Sequence, residues 1–234
     1  RPIAGISAPS HAIQDGVILN YYECVQIVSK LKETLEERLG TELSYAAAAI
    51  PPGVSPGSVK SIGYVLEGAG FEVTNIVDEP TAASAVLKIT DGAVVDVGGG
   101  TTGISILKDG KVIYTDDEAT GGTHMTMTVA GHYHIPYEEA EILKTQPDKE
   151  EEIFPVIKAT VEKMALITEK FLKGYQVPAV YVVGGSSMFT EFTSVFEKRL
   201  HLPVYRPVHP LLVTPLGIAY CCQLPELSSK KEVK

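Results

Sequence analysis

The chain is poor in cysteine, in positive charge and in long apolar runs, and each shortage removes a class of function. Its cysteines number 3, Cys24 and the adjacent pair Cys221 and Cys222, in no metal-ligand spacing and with neighbours poorly placed to bridge one another. A disulfide framework is therefore excluded, and a reduced cytoplasmic setting is the default expectation. Lys and Arg total 20 against 29 Asp and Glu, a formal charge of −9. That balance argues against nucleic acid or an anionic membrane surface as the principal partner, because both need clustered cations to neutralise phosphates. No apolar run approaches the roughly 20 residues of a membrane span, and no basic-then-apolar leader opens the chain. Arg1-Pro2 stands where a Met would, from which a processed or truncated chain is expected. No short tandem repeat is present. What remains is 234 residues with an apolar fraction of 44%, enough for a real core in one large or two smaller domains.

The most informative segment runs from Ala93 to Leu107, where an apolar strand leads into Asp96, the glycines Gly98, Gly99 and Gly100, then Thr101 and Thr102, and a second apolar strand. It reads as a hairpin for phosphate. Glycines let backbone N–H groups approach an anion, threonine hydroxyls add donors, and Asp96 can hold a hydrated metal ion or orient water. A plain tight turn would need only two glycines.

Elsewhere the pattern alternates. Helical periodicity covers Tyr21 to Leu39 with Gly40 as terminator, and Ser55-Pro56 starts a helix that ends near Gly68 or Gly70. Ala46 to Ile50 reads as a short buried strand and Phe71 to Val77 as another, followed by a small-residue helix Thr81 to Leu87. Asp109-Gly110 closes a pair of strands, Gly103 to Leu107 and Val112 to Thr115, and Gly121-Gly122 introduces a helix from Thr123 to about Tyr133. Helices are predicted over Tyr137 to Lys144 and Lys149 to Leu172, the second behind an acidic run that suits a helix start. The strand Ala179 to Val183 runs into Gly184-Gly185-Ser186-Ser187 and a helix Phe189 to Leu200. Pro203 to Pro215 reads as irregular, Leu216 to Cys222 as a final helix, and Ser228 to Lys234 as a polar frayed tail. Alternating strands and helices with hairpins give an α/β class with mixed sheets.

Four signatures in fixed order resemble the superfamily of actin, heat-shock chaperone ATPases and sugar kinases. Glu79-Pro80-Thr81-Ala82-Ala83 resembles its first connecting helix, whose Glu or Gln approaches the attacking water. Asp96 to Thr102 resembles the second phosphate loop, Gly121-Gly122-Thr123 the Gly pair beside the nucleotide, and Val182 to Ser187 the adenosine motif. Thr214 to Ala219 resembles the second connecting helix, and Ile13 to Leu19, with Asp15-Gly16-Val17-Ile18, also has a counterpart in the bacterial actin and DnaK-like branch. Only about eighty residues separate the phosphate hairpin from the adenosine motif, a compactness that resembles a chaperone-like branch encoded with ethanolamine-degrading microcompartment enzymes.

The resemblance implies a two-domain actin-like ATPase fold, ribonuclease H-like mixed sheets flanked by helices with small or absent insertion subdomains. The expected division is an N-terminal domain over 1–90, a second nucleotide-binding domain over 91–210, and a connecting helix with tail over 211–234. It implies ATP or ADP with Mg, Glu79 and Asp96 as catalytic groups, and Asp96 reaching Mg through water. Gly98 to Thr102, Gly121 to Thr123 and Gly184 to Ser187 would bind the nucleotide. A weak ATPase activity is implied, with ethanolamine-pathway enzymes or microcompartment shell proteins as partners and no nucleic acid or membrane. The family's first phosphate hairpin, Asp-Leu-Gly-Thr, has no counterpart here, so half the phosphate clamp is expected to be missing from this chain and nucleotide affinity to fall with it. A filament-forming bacterial actin, a reactivating factor for a cobalamin lyase and a small-molecule kinase are the alternatives. Among the histidines, His132 and His134 point to different helix faces and make a poor metal pair. Ser186-Ser187 lacks the His or Asp context of a nucleophile. Tyr21, Tyr22, Tyr133 and Tyr137 are expected to pack.

Overall fold

A computed structural model describes residues 2–14 and 16–222, so Asp15 and the tail Ser228 to Lys234 lie outside the described residues. The first elements follow local signals. Two short strands, β1 (Ile13–Gln14) and β2 (Val17–Ile18), pair antiparallel and lead to α1 (Tyr21–Leu39). Asn20 caps α1 by accepting from the Glu23 N–H, and left-handed Gly40 closes it by donating to the Glu36 carbonyl. β3 (Tyr45–Ile50) is followed by α2 (Pro56–Gly68), capped by Ser55, and by β4 (Glu72–Asp78), which lies parallel to β3. α3 (Glu79–Leu87) then starts without a linker, its N-cap Asp78 accepting from the Thr81 N–H. The expected burial of Ala46 to Ile50 is corrected: the strand is only half-buried, because among the described residues β3 has β4 as its one strand neighbour.

β5 (Gly92–Val97), β6 (Thr102–Lys108) and β7 (Lys111–Glu118) form an antiparallel meander. Then come α4 (Gly122–Tyr133), α5 (Tyr137–Lys144) and α6 (Glu150–Phe171). β8 (Val180–Val183) leads through a tight turn to α7 (Phe192–Leu200), β9 (Val204–Tyr205) and α8 (Pro210–Tyr220). The sheet order β7-β6-β5-β8-β9 puts parallel β5 and β8 at its centre, and both are almost wholly buried, as continuous apolar strands should be. One face carries the main core, where α6 contributes Phe154, Ile157, Val161 and Met164 against Val95, Ile104 and Val182.

Three expectations need correction. Pro203 to Pro215 is not irregular throughout: β9 occupies part of it, and α8 begins at Pro210 rather than Leu216. Proline suits the first turn of a helix, where its missing N–H is no loss, and Pro215 forgoes only one internal bond. α7 starts at Phe192 rather than Phe189, because Gly185–Met188 forms a 3-10 turn first. Tyr22 is 70% exposed and does not pack as expected, whereas Tyr21, though 47% exposed, lies against α2, its hydroxyl donating to the Tyr64 carbonyl beside Gly68. α3 and α8 cross at closest approach where Gly217 meets Ala82. No helix among the described residues is long and apolar enough to cross a membrane.

Candidate functional site

Parallel strands point their C-terminal ends at one place, and here the ends of β5 and β8 open onto a cavity of about 560 Å³. Of the residues singled out from sequence, Glu79, Asp96, Gly98, Gly99, Gly184, Gly185 and Ser186 line it. A smaller cavity of about 210 Å³ shares Glu79, Gly98 and Gly99 and adds Gly100 and Thr101. The structure thus brings Glu79, Asp96 and both Gly-rich turns to one cleft.

Thr102, Gly121, Gly122, Thr123 and Ser187 line neither cavity. Several of their donors hold the loop or the turns beside it. The Gly122 N–H donates to the Gly98 carbonyl at 2.9 Å, the Thr123 N–H to the Gly99 carbonyl at 2.7 Å, and the Gly121 N–H to His124 Nδ1 at 3.2 Å. The hydroxyls of Thr102 and Ser187, both fully buried, donate to the carbonyls of Thr120 and Gly184. Two glycines are dictated by this packing. A Cβ at Gly121 would sit 2.6 Å from the Gly99 carbonyl oxygen, and one at Gly184, where φ is +87, would sit 2.4 Å from that of Val97. Gly99 differs: a Cβ there would meet nothing within 4 Å, so the loop's crest faces open space on the cavity side. An exposed glycine crest with a buried carboxylate beneath it fits a phosphate-bearing ligand and a hydrated Mg, which commonly takes one or two protein carboxylates and completes its shell with water and phosphate. Among the described residues no group of three or more His, Cys, Asp or Glu could hold a metal by itself.

The cleft is acidic. Burial, then the neighbouring charges of Asp96, Asp117 and Asp78, push the Glu79 carboxyl up to about 8. Burial also raises Asp96, while a hydrogen bond from the Thr214 hydroxyl to its Oδ2 works in the opposite direction. The cavity's cation among the described residues is Lys144, and sequence reasoning missed it. Its ammonium donates to Glu141 Oε2 at 2.7 Å, to Thr126 Oγ1 at 2.8 Å and to the Gly122 carbonyl at 3.2 Å. The available signal was the Glu-x-x-Lys spacing of 141 and 144, which puts both on one face of α5. Gln146, Glu150, Met188, Phe189, Leu211 and Thr214 also line the cavity and were likewise not singled out as site residues.

Sequence comparison places this geometry. The family described as MreB/Mbl protein matches residues 6–146, and that described as Cell division protein FtsA matches residues 93–224. Ethanolamine utilization protein EutJ of Salmonella typhimurium is 42% identical over 220 residues, covering 94% of this chain and 77% of the relative. The Escherichia coli protein of the same name gives the same figures. This chain belongs to the EutJ family. The crystal structure of ethanolamine utilization protein EutJ from Carboxydothermus hydrogenoformans superposes with a TM-score of 0.84 at 47% identity, covering 90% of this chain and 78% of that one. MreB 5 of Spiroplasma citri, solved bound to AMPPNP, superposes at 0.74 with 18% identity, covering 90% and 78%. The fold of this EutJ-family protein is therefore the actin-like ATPase fold.

Proposed function

We propose that this EutJ-family chain is a nucleotide-responsive, chaperone-like accessory of ethanolamine utilisation, binding ATP or ADP with Mg in the cleft between β5, β8 and α3. The observation that carries the reading is the cavity at the ends of β5 and β8, where an open glycine crest, a buried Asp96 and the first residue of α3 face one space. Gly98 to Thr101 and Gly184 to Ser186 would grip the phosphates, Asp96 would hold Mg through water, and Lys144 with Glu141 would meet the sugar side. When bound, Mg–ATP supplies a phosphoryl group primed for transfer to water. Glu79 would orient that water rather than attack, since phosphoryl transfer depends on positioning and charge more than on covalent help. In the empty cleft its carboxyl is raised to about 8, so it must lose a proton before it can accept a hydrogen bond from that water as a carboxylate.

Its clients on this reading are ethanolamine-pathway enzymes or microcompartment shell proteins; the relatives' names support the ethanolamine pathway, and the net charge of −9 is unsuited to nucleic acid. α3 and α8, in contact through Ala82 and Gly217, would turn nucleotide state into relative motion of the segments they join. Titration calorimetry of the full-length protein with Mg–ATP and Mg–ADP tests the site, and absence of heat with both refutes it. Pull-down under ATP and under ADP, with eluted proteins identified, tests the client assignment; identical captures under both nucleotides would refute nucleotide control.

A further inference from the structure

We propose that Thr214 is a positioning residue that holds Asp96 ready for a bound cation and fastens the phosphate loop to α8. The proposal rests on the nucleotide reading above. Threonines inside helices usually return their hydroxyl to the carbonyl one turn back. Thr126, Thr128 and Thr168 do so here, to Gly122, His124 and Met164. Thr214 does not. Its hydroxyl crosses to β5 and donates to Asp96 Oδ2, while the carbonyl it would have used, that of Pro210, accepts the Gly184 N–H at 3.1 Å. Pro210, Thr214 and Gly217 recur at helical spacing, so one stripe of α8 touches the Gly184 turn, Asp96 and Ala82 of α3 in succession. Asp96 is 5% exposed, and its other oxygen lies against Gly184, where a Cβ would come within 2.5 Å of Oδ1. Its carboxylate is therefore clamped from both sides, with the Thr214 hydroxyl as the polar half of the clamp. A cation drawn to Asp96 must be felt by α8 through that hydroxyl, and any displacement of α8 must in turn release the carboxylate.

The test compares Thr214→Val, which keeps the shape and removes the hydroxyl, with Thr214→Ser, which restores it. ADP affinity is measured by calorimetry for the full-length protein in Mg²⁺ and in EDTA, and hydrogen exchange of α8 amides is followed with and without Mg–ADP. Because hydrogen bonds to charged groups are among the stronger ones, T214V should lower the ratio of Mg²⁺ to EDTA affinity by about tenfold or more. Affinity in EDTA should stay within about twofold, α8 exchange should cease to respond to Mg–ADP, and T214S should bring the ratio back within about threefold of the parent. If T214V does not fold, Thr214→Ala removes the same hydroxyl and takes its place. A parental ratio in the hydroxyl-free variant, or no recovery with Ser, overturns the proposal. Absence of ADP binding by the parent protein in Mg²⁺ would instead overturn the nucleotide reading itself, and the proposal with it.

Discussion

Glu79 should make this protein less stable as pH rises, and removing its charge should make it more stable. Its carboxyl is raised from an ordinary 4.5 to about 8 by burial and by Asp96, Asp117 and Asp78. Between those two pH values the folded protein keeps a proton on Glu79 that the unfolded chain has already lost. Its contribution is therefore complete below pH 4.5, declines through the window and is spent above about pH 8. At about 1.4 kcal/mol per pH unit the whole window is worth on the order of 4–5 kcal/mol. Glu79→Gln keeps the shape and abolishes the titration. Urea unfolding at pH 5 should give similar stabilities for the parent and E79Q, whereas at pH 9 E79Q should be more stable by about 2–4 kcal/mol. Because Asp96 is one of the charges that raise Glu79, E79Q also relieves Asp96, and the difference between the two proteins reports the coupled pair. Parallel pH profiles for the two proteins, or an E79Q that is weaker at pH 9, would refute the account of Glu79 as a carboxyl buried at a cost to the fold.

Three further outcomes follow from the geometry. Gly217→Ala places a Cβ 1.8 Å from the Ala82 carbonyl oxygen, so urea unfolding should show a loss of about 3 kcal/mol or more unless α3 and α8 separate. Gly99→Ala and Gly184→Ala should part company: the first faces open space and should hold its melting temperature while weakening Mg–ADP binding in calorimetry, and the second, with φ +87 and a contact of 2.4 Å, should lose about 2–4 kcal/mol of stability. Lys144→Met should weaken nucleotide binding by about tenfold in the same calorimetry, since it removes the cavity's ammonium and leaves Glu141 facing the ligand.

What the chain declares locally was legible, and what needs tertiary partners was not. α1 could be bounded to the residue because its apolar periodicity begins at Tyr21 and Gly40 carries the closing cap within itself. The phosphate hairpin was equally plain, its turn chemistry lying in consecutive residues from Asp96 to Thr102. β3 was misjudged in burial because a strand's exposure is decided by its neighbours, and a run of alanines is silent about them. α8 was begun too late because proline was read as a breaker, when Pro210 stands where a helix tolerates it. Lys144 escaped notice because its importance depends on α5 folding back so that one ammonium reaches Glu141, Thr126 and the Gly122 carbonyl together. The Gly pair at 121 and 122 shows the converse: its spacing was recognised, but close packing against Gly99 and Ser186 requires those glycines whether or not a ligand is present.

The charge of the cleft restricts the form in which a nucleotide can enter it. Glu79, Asp96, Glu141 and Glu150 line the same cavity as Lys144, and that ammonium is already 2.7 Å from Glu141. Two like charges 4 Å apart repel by about 4 kcal/mol at the effective dielectric of a protein surface, so a bare polyphosphate would meet a penalty that one paired lysine cannot offset. A divalent cation travelling with the phosphates reverses the sign of that encounter, and it favours the ionised form of Glu79, the carboxyl that burial and its acidic neighbours raise to about 8. Loading the cleft with Mg–nucleotide should therefore expel protons near neutral pH, so that affinity rises as pH increases through about 8, the opposite direction to the stability of the empty fold. The same carboxyl that weakens the protein at high pH is the one that a metal-bound ligand would relieve.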